Sequence, residues 1–441
     1  MKWILGTLGL LALGLMLKLS LLVYAMYVLL GILFLCRFFS RTWIDQLEAS
    51  RFCSGDVLAI GDTVELRVEV SNPGRLSVPW LIIEDSLPRD ALVQMPHRIK
   101  AEGPRLTLRR LAPGETARLQ YRVTFLMRGY YQLGPLLLET GDVFGLHRRF
   151  RVVTEPHFAL VLPKVLPLQG YNLASRRPIG DIRVVHRLFE DPTRLANIRP
   201  YQQGDPFNRI HWRATARTGE IHSRVYETSR VAGATFLLDF HERSYQGRGA
   251  SASAELAIIT VASLANAVFL MGQQTGLVSN GRDAADRVRE EGWDAGFITR
   301  GDAHRRAAEP PANTRLRPVI VETRKGEARF RQILETLARL EHTDGLEFAE
   351  MLEEAASVIP RDATVVAVLR RVTPAIAISL GELMRRGFLV TTIIVSIDTE
   401  PTPDWAQPPD WAQMLLAQGI GFREVNAEEA VTSLCAEAIV R

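Results

Sequence analysis

Between Tyr201 and Glu220 the chain sets out, one after another, the side chains that chemistry would need. Asp205, His211 and Glu220 supply two carboxylates and an imidazole, the groups that acid–base hydrolysis uses. Arg209, Arg213 and Arg217 recur every fourth residue, a spacing that lines three guanidiniums along one side of a helix. There they could grip a carboxylate or a phosphate in a forked pair.

The element that must position them is predicted to be one short capped helix. Asp205 can accept hydrogen bonds from first-turn amides, Pro206 sits where a missing N–H costs nothing, and Gly219 suits a left-handed stop. Phe207, Ile210 and Ala214 give the opposite side something to bury, so the helix reads as amphipathic. Trp212 is expected to anchor that packing, with its indole N–H on a backbone carbonyl. His211 and His222 are expected as hydrogen-bonded surface or interface residues.

Around this helix, residues 176–230 hold eleven arginines, no lysine and six acids, a local charge of about +5. Two roles stay open for them. The arginines could pair with Asp181, Glu190, Asp191 and Glu220 and hold domains together, or the stripe could receive an acidic partner or anionic lipid. Nucleic acid is not expected, because aromatic side chains do not alternate with the cations as a stacking platform requires.

Gly204, Asp205, Arg209, Ile210, Trp212, Ala216, Arg217, Gly219 and Glu220 stand in an order that resembles the signature of the bacterial family called domain of unknown function 58. The resemblance extends to Arg128-Gly129-Tyr130 and to Asp142-Val143-Phe144-Gly145-Leu146. It implies a C-terminal domain similar to the von Willebrand factor type A fold and a working partnership with a MoxR-type AAA+ ATPase. It implies no reaction.

Type A domains often hold a divalent ion with an Asp-x-Ser-x-Ser loop, a threonine and a further aspartate. The matching loop here is Asp239-Phe240-His241-Glu242-Arg243, in which only the leading aspartate remains. An imidazole and a guanidinium replace two hydroxyls, although a hard ion wants oxygen. Leu369-Arg370-Arg371 is cationic where an acid is wanted, while Thr343-Asp344 could supply oxygens. Asp239 is therefore read as a degenerate metal position, a solvated or arginine-paired carboxylate, and no metal or cofactor is expected. Gly247-Arg248-Gly249-Ala250-Ser251-Ala252 matches a dinucleotide loop by letters alone, without the acid about twenty residues on.

The rest of the 441 residues supplies the frame, and that length calls for about three units. A net charge of +4 is mild, and 47% hydrophobic with 23% charged residues describes a globular chain with a slight apolar excess. Cys36, Cys53 and Cys435 have neither metal-ligand nor redox spacing. Trp3 to Leu35 is almost continuously apolar and too long for one upright span, so two helices meeting near Lys18-Leu19-Ser20 are predicted, with one tilted span as the alternative. Lys2 before the run, with Arg37 and Arg41 after it, puts both ends in the cytoplasm if there are two spans.

From Gly61 the period changes to two: Val64, Leu66, Val68 and Val70, then Leu119, Tyr121, Val123 and Phe125. Further apolar runs at Leu81–Ile83 and Leu136–Leu138 complete a small β-sandwich expected to act as a spacer or docking module. After Ala234, strands are expected at 235–240, 276–278, 363–369 and 389–397, with helices at 256–270, 330–340 and 375–386, a doubly wound α/β domain.

The expected fold is thus multi-domain: a transmembrane helical hairpin at 1–40, a β-sandwich at 41–160, an arginine-rich signature connector at 161–230 and a type A-like α/β domain at 231–441. The expected function is that of a non-enzymatic interaction protein of the bacterial inner membrane, multi-pass, with cytoplasmic soluble domains. Its partners would be a MoxR-type ATPase and, through the N-terminal helices, lipid. The alternatives are an envelope-associated hydrolase using Asp205, His211 or Glu220, and a binder of anionic lipid or nucleic acid.

Overall fold

A computed structural model of the chain describes residues 2–88, 91–92, 97–142, 144–145, 147–168, 190–200, 211–228, 233–286, 316–361, 363–397 and 410–434. It divides into two compact units, one of Met1–Leu162 with Ala284–Ala312 and one of Pro163–Asp283 with Asn313–Arg441.

The first unit begins with two helices, α1 (Lys2–Met16) and α2 (Ser20–Asp45), which pack on each other and meet at residues 17–19, where the apolar run has its lone lysine. Leu19 N–H reaches back to the Gly14 carbonyl at 3.0 Å, and Lys18 takes a left-handed φ of 52° to make the turn. At 26 residues α2 measures about 39 Å, and its apolar window has a mean hydropathy of 2.2 with 6% of it buried. Leu33, Ser40 and Ile44 form the one buried stripe on it. Its last turn is clamped from the side: Arg151 Nη1 donates to the carbonyls of Ile44, Asp45 and Leu47 at 3.1, 3.2 and 3.2 Å, satisfying helix-end acceptors with a cation, as the dipole favours.

Alternation then builds sheets. One sheet contains β1 (Glu48–Cys53), β3 (Thr63–Ser71), β7 (Thr116–Phe125) and β5 (Ile99–Glu102) in the order β1-β3-β7-β5. Another orders β10 (Arg148–Thr154), β9 (Leu136–Gly141), β4 (Val78–Asp85) and β6 (Leu106–Leu111) as β10-β9-β4-β6. A three-stranded sheet joins β2 (Val57–Ala59), β11 (His157–Leu162) and β8 (Gly129–Leu133). Val68, Val70 and Leu119 of the first sheet meet Leu81, Ile83 and Leu138 of the second in one core that also takes Ile44 and Leu47, so the two sheets face each other as in a sandwich.

Inside the first unit lies an ionic cluster. Arg51 pairs with Asp85, Tyr121 Oη donates to the same carboxylate at 2.7 Å, and Arg51 Nη1 donates to Leu133 O at 2.6 Å. Burial pushes the Tyr121 hydroxyl up to about 12. The two family-like stretches here are structural. Arg128-Gly129-Tyr130 opens β8, where Tyr130 stacks on Phe158 at 5.1 Å, and Asp142 ties its own turn by accepting from Phe144 N at 2.9 Å and His147 N at 2.6 Å.

In the second unit β12 (Glu190–Pro200) pairs antiparallel with β13 (His222–Thr228), with α3 (Trp212–Thr218) between them in sequence. The main sheet uses β14 (Gly233–Leu238), β15 (Gln274–Ser279), β17 (Val319–Arg324), β19 (Ala363–Leu369), β20 (Leu389–Val395) and β21 (Gly421–Val425). Their order is β17-β15-β14-β19-β20-β21, all parallel except the edge strand β17. A two-residue ladder, β16 (Arg282–Asp283) with β18 (Leu340–Glu341), lies outside it.

On one face α4 (Ala250–Leu270), α5 (Glu327–Arg339) and α9 (Glu428–Ser433) pack against Phe236 and Leu238. On the other, α6 (Phe348–Ala355), α7 (Pro374–Arg385) and α8 (Asp410–Ala417) pack against Leu237. Both faces are covered, which is why the strands read as unbroken apolar runs. The helix α4 is long and apolar enough to cross a bilayer, but 67% of its apolar window is buried, so it is the core helix of this unit.

Candidate functional site

The signature run contributes one described helix, Trp212–Thr218. His211, not Asp205, caps it: His211 Nδ1 accepts from Ala214 N at 3.0 Å, and the helix proper begins at Trp212. An imidazole acceptor satisfies a first-turn amide as a carboxylate would. Tyr201, Gly204, Asp205, Arg209 and Ile210, and with them Pro206 and Phe207, lie outside the described residues. The stop is where it was expected, at Gly219, with φ 77° and its N–H on Thr215 O.

Hydrogen bonds tie this helix to β13. His211 N donates to His222 O at 2.8 Å, and His222 N donates to Thr215 Oγ1 at 3.1 Å. His222 Nδ1 lies 2.8 Å from Glu220 O, where it can donate. Both histidines thus serve the backbone, as expected of them. His211→Ala should cost about 1 kcal/mol in chemical denaturation, the loss typical of a helix cap. A variant as stable as the parent would remove His211 from that role.

Trp212 corrects its prediction. The ring is 67% exposed, and no residue of α3 is buried, so Trp212 is not a packing anchor. Two turns of helix held at their ends by hydrogen bonds need no apolar face, and Ala214 and Thr215 are the half-buried side. Arg213 and Arg217 are exposed one turn apart, and among the described residues no carboxylate pairs with either. Glu220 is exposed as well. The described part of the signature is therefore an aromatic ring beside two free guanidiniums, and it forms no cleft.

Asp239 also departs from its reading. It is neither solvated nor paired with arginine: it is 1% exposed at the end of β14. Asn280 Nδ2 donates to Oδ1 at 2.9 Å, the His241 N–H donates to the same oxygen at 3.2 Å, and the Ser244 hydroxyl donates to Oδ2. Asn280 in turn accepts from Phe240 N at 2.7 Å and donates to Leu346 O at 3.1 Å, so one amide links three loops at the carboxyl ends of the strands. Sequence reasoning missed Asn280 and Ser244, which only the tertiary fold brings to this carboxylate.

Thr343 does reach this edge, bridging His241 in parallel and accepting Glu242 N at 2.8 Å, but its hydroxyl accepts from Gly345 N. Arg370 donates to Gln246 O and Arg248 O at 3.2 and 3.0 Å, and Arg243 pairs with Glu347 at 2.7 Å. The oxygens of Asp239 are taken up by donors and cations surround the edge, a donor set that does not fit a divalent ion. Gly249, from the nucleotide-like letters, is simply the left-handed cap of α4, with φ 67°.

Burial lifts the Asp239 carboxyl above its usual range, against the hydrogen bonds from Ser244 and Asn280 that pull it down. With the folded value raised, the native state holds a proton that the unfolded state has released, so stability falls as pH rises from the ordinary aspartate range through the raised folded value. Asp239→Asn should remove this slope. The variant's melting temperature should gain on the parent's as pH rises from 4 toward neutrality, and parallel curves would show that the group is not shifted.

Residues 197–293 match the family model described as "Protein of unknown function DUF58". The match takes in the described signature helix and Asp239 with Asn280. In Bacillus subtilis (strain 168), the "Uncharacterized protein YeaD" is 24% identical over 240 residues, covering 54% of this chain. The chain spans only about half of that relative, 55% of its length. Among solved structures, the CARDB domain of the PF1109 protein from Pyrococcus furiosus, crystallised with di-metal ions, aligns with 26% of this chain and 87% of its own at 18% identity and a TM-score of 0.17. Proximal thread matrix protein 1 from the mussel byssus aligns with 46% of each chain at 11% identity and a TM-score of 0.28.

Proposed function

We propose that this protein is a membrane-anchored, non-enzymatic interaction protein whose signature helix is a contact surface for another protein. The observation that carries this reading is the exposure of Trp212 beside Arg213 and Arg217, while His211, the nearest candidate base, is spent on capping the helix. Tryptophan and arginine are the residues on which interface binding energy most often concentrates. A solvent-facing pair of guanidiniums favours an acidic partner.

The anchor in this proposal is the α1–α2 pair, held in the bacterial inner membrane with the soluble units in the cytoplasm. The exposed apolar length of α2 and the arginines that follow it support that placement. The second unit is read as a von Willebrand factor type A-like domain without its ion. Its strand order, with one antiparallel edge strand and an aspartate at the end of the first strand, supports this.

The resemblance to the domain of unknown function 58 family further implies a MoxR-type AAA+ ATPase as partner, in the assembly or remodelling of other proteins at the envelope. Affinity capture of the full-length chain from detergent-solubilised membranes, with and without ATP, tests it. Enrichment of such an ATPase is the expected result; its absence under both conditions would discard the partnership.

A further inference from the structure

The second sandwich sheet carries an apolar surface on its outer side. Trp80 and Ile82 of β4, Leu108 of β6 and Phe144 at the tip of the β9–β10 turn line a concavity of about 350 Å³ with Asp142 and Arg148. Phe144 is 67% and Leu108 63% exposed. Arg110 is exposed two residues from Leu108 on the same side of β6, and Arg148, at the far rim, lies 3.7 Å from Glu139. Isolated apolar residues on a surface need no explanation, but a contiguous aromatic and aliphatic patch rimmed by cations does.

The position of this patch along α2 says what covers it. The end of α2 is fixed to the middle of β10 by Arg151, whose register partner is Leu138 on β9. From Ile44 back to Cys36 the helix descends about 12 Å, and from Leu138 to Asp142 the strand advances about 13 Å. The two elements pack against each other, and they arrive together, since the Asp142 carboxylate comes close enough to Cys36 to interact with it electrostatically. The β9–β10 turn therefore points back along α2 toward its apolar part, ending level with Cys36.

If the roughly 30 Å of hydrocarbon begins at Ser20, it closes near Phe39, within one helical turn of Cys36. The turn and its patch then stand at the boundary between lipid tails and headgroups. The cost of Asp142 there is reduced, because both carboxylate oxygens and the backbone carbonyl are engaged, the last by Trp80 Nε1 at 3.2 Å.

We infer that this face of the sandwich rests on the bilayer, with Phe144 and Leu108 dipping among the acyl chains and Arg110, which shares the outward side of β6 with Leu108, meeting anionic headgroups. A bilayer suits the chemistry: an indole with a satisfied N–H at the interface, aromatic and aliphatic tips beyond it, and cations at the rim. The inference depends on α2 lying in the membrane, so the experiment measures the two separately.

Single cysteines replacing Phe144, Leu108, Phe34 of α2 and Arg118 of the opposite sheet are spin-labelled in a chain with Cys36, Cys53 and Cys435 replaced by serine. Each is reconstituted at full length into phosphatidylcholine vesicles containing phosphatidylglycerol, with circular dichroism required to match the parent. Relaxation by dissolved oxygen is compared with relaxation by a water-soluble nickel complex. Oxygen should dominate at positions 34, 144 and 108, with the last two about 5 Å below the phosphates, while nickel dominates at 118.

Oxygen dominance at 34 with nickel dominance at both 144 and 108 would overturn the docked face and leave the anchor standing. Nickel dominance at 34 would overturn the anchor and the docked face together. Labels at 144 and 108 shielded from both reagents would mean a protein cover, and that too would overturn the inference.

Discussion

Trp212→Ala is expected to weaken capture of the protein partner by about 30-fold while leaving folding unchanged. An interface aromatic of hot-spot rank is worth about 2 kcal/mol or more, which converts to that factor. Removal of a side chain that is 67% exposed should move stability by no more than about 0.5 kcal/mol. The ring that the sequence marks as a core anchor would then matter only when something covers it. Reversing charge at Arg213 or Arg217 should have a different signature: slower association and a flattened response to added salt, because exposed charges steer encounter more than they hold a complex. Binding isotherms and thermal melts on the same preparations decide it. A fall of several degrees in melting temperature, with capture intact, would return Trp212 to a structural role.

The largest stability effect is expected inside the sandwich. Arg51→Met leaves Asp85, whose side chain is fully buried, without its countercharge, and should cost about 3–5 kcal/mol. The loss arises from the abandoned carboxylate more than from the missing pair, so Arg51→Met combined with Asp85→Leu should recover a large part of it. Tyr121 limits the recovery, because its hydroxyl donates to Asp85 and would lose its acceptor. A double-mutant cycle in urea isolates the coupling, and strictly additive losses would show that the pair is not coupled in the native state. Gly134 bears on the same cluster, since a Cβ there, at φ +90°, would collide with the Arg51 guanidinium. Gly134→Ala should therefore behave as a weakened copy of Arg51→Met.

Periodicity makes much of this architecture legible from sequence. Val64 to Val70 and Leu119 to Phe125 alternate because one side of each strand is buried, and Ala363–Leu369 is read to its last residue because both sides are. The Lys18 turn shows for a related reason, as the single cation in an apolar stretch. The edge strand β17 escapes because its burial is mixed and Glu322 and Arg324 interrupt the pattern.

The site is harder to read. Asp205-Pro206 has the composition of a helix start but lies outside the described residues, while the cap that His211 supplies to the described helix is not legible, since histidine is an uncommon cap. Exposure of Trp212 contradicts the usual burial of large rings, and nothing in local spacing signals it. Asn280 lies 41 residues from Asp239, and only the parallel pairing of β14 with β15 sets the two loops side by side. Cationic Arg370 looks like a lost acid in the sequence, yet its two hydrogen bonds make it a brace for the loop that precedes α4.

The clamp at the end of α2 has a mechanical corollary. With Ile44 set in the core between the sheets and Arg151 gripping three carbonyls where the helix ends, rod and block cannot swivel independently. Whatever pushes sideways on the strands is converted into lean: a rotation of about 10° would carry the far tip of a 39 Å helix through about 7 Å. Sandwich and rod together thus form a rigid lever whose short arm is the place where force would enter.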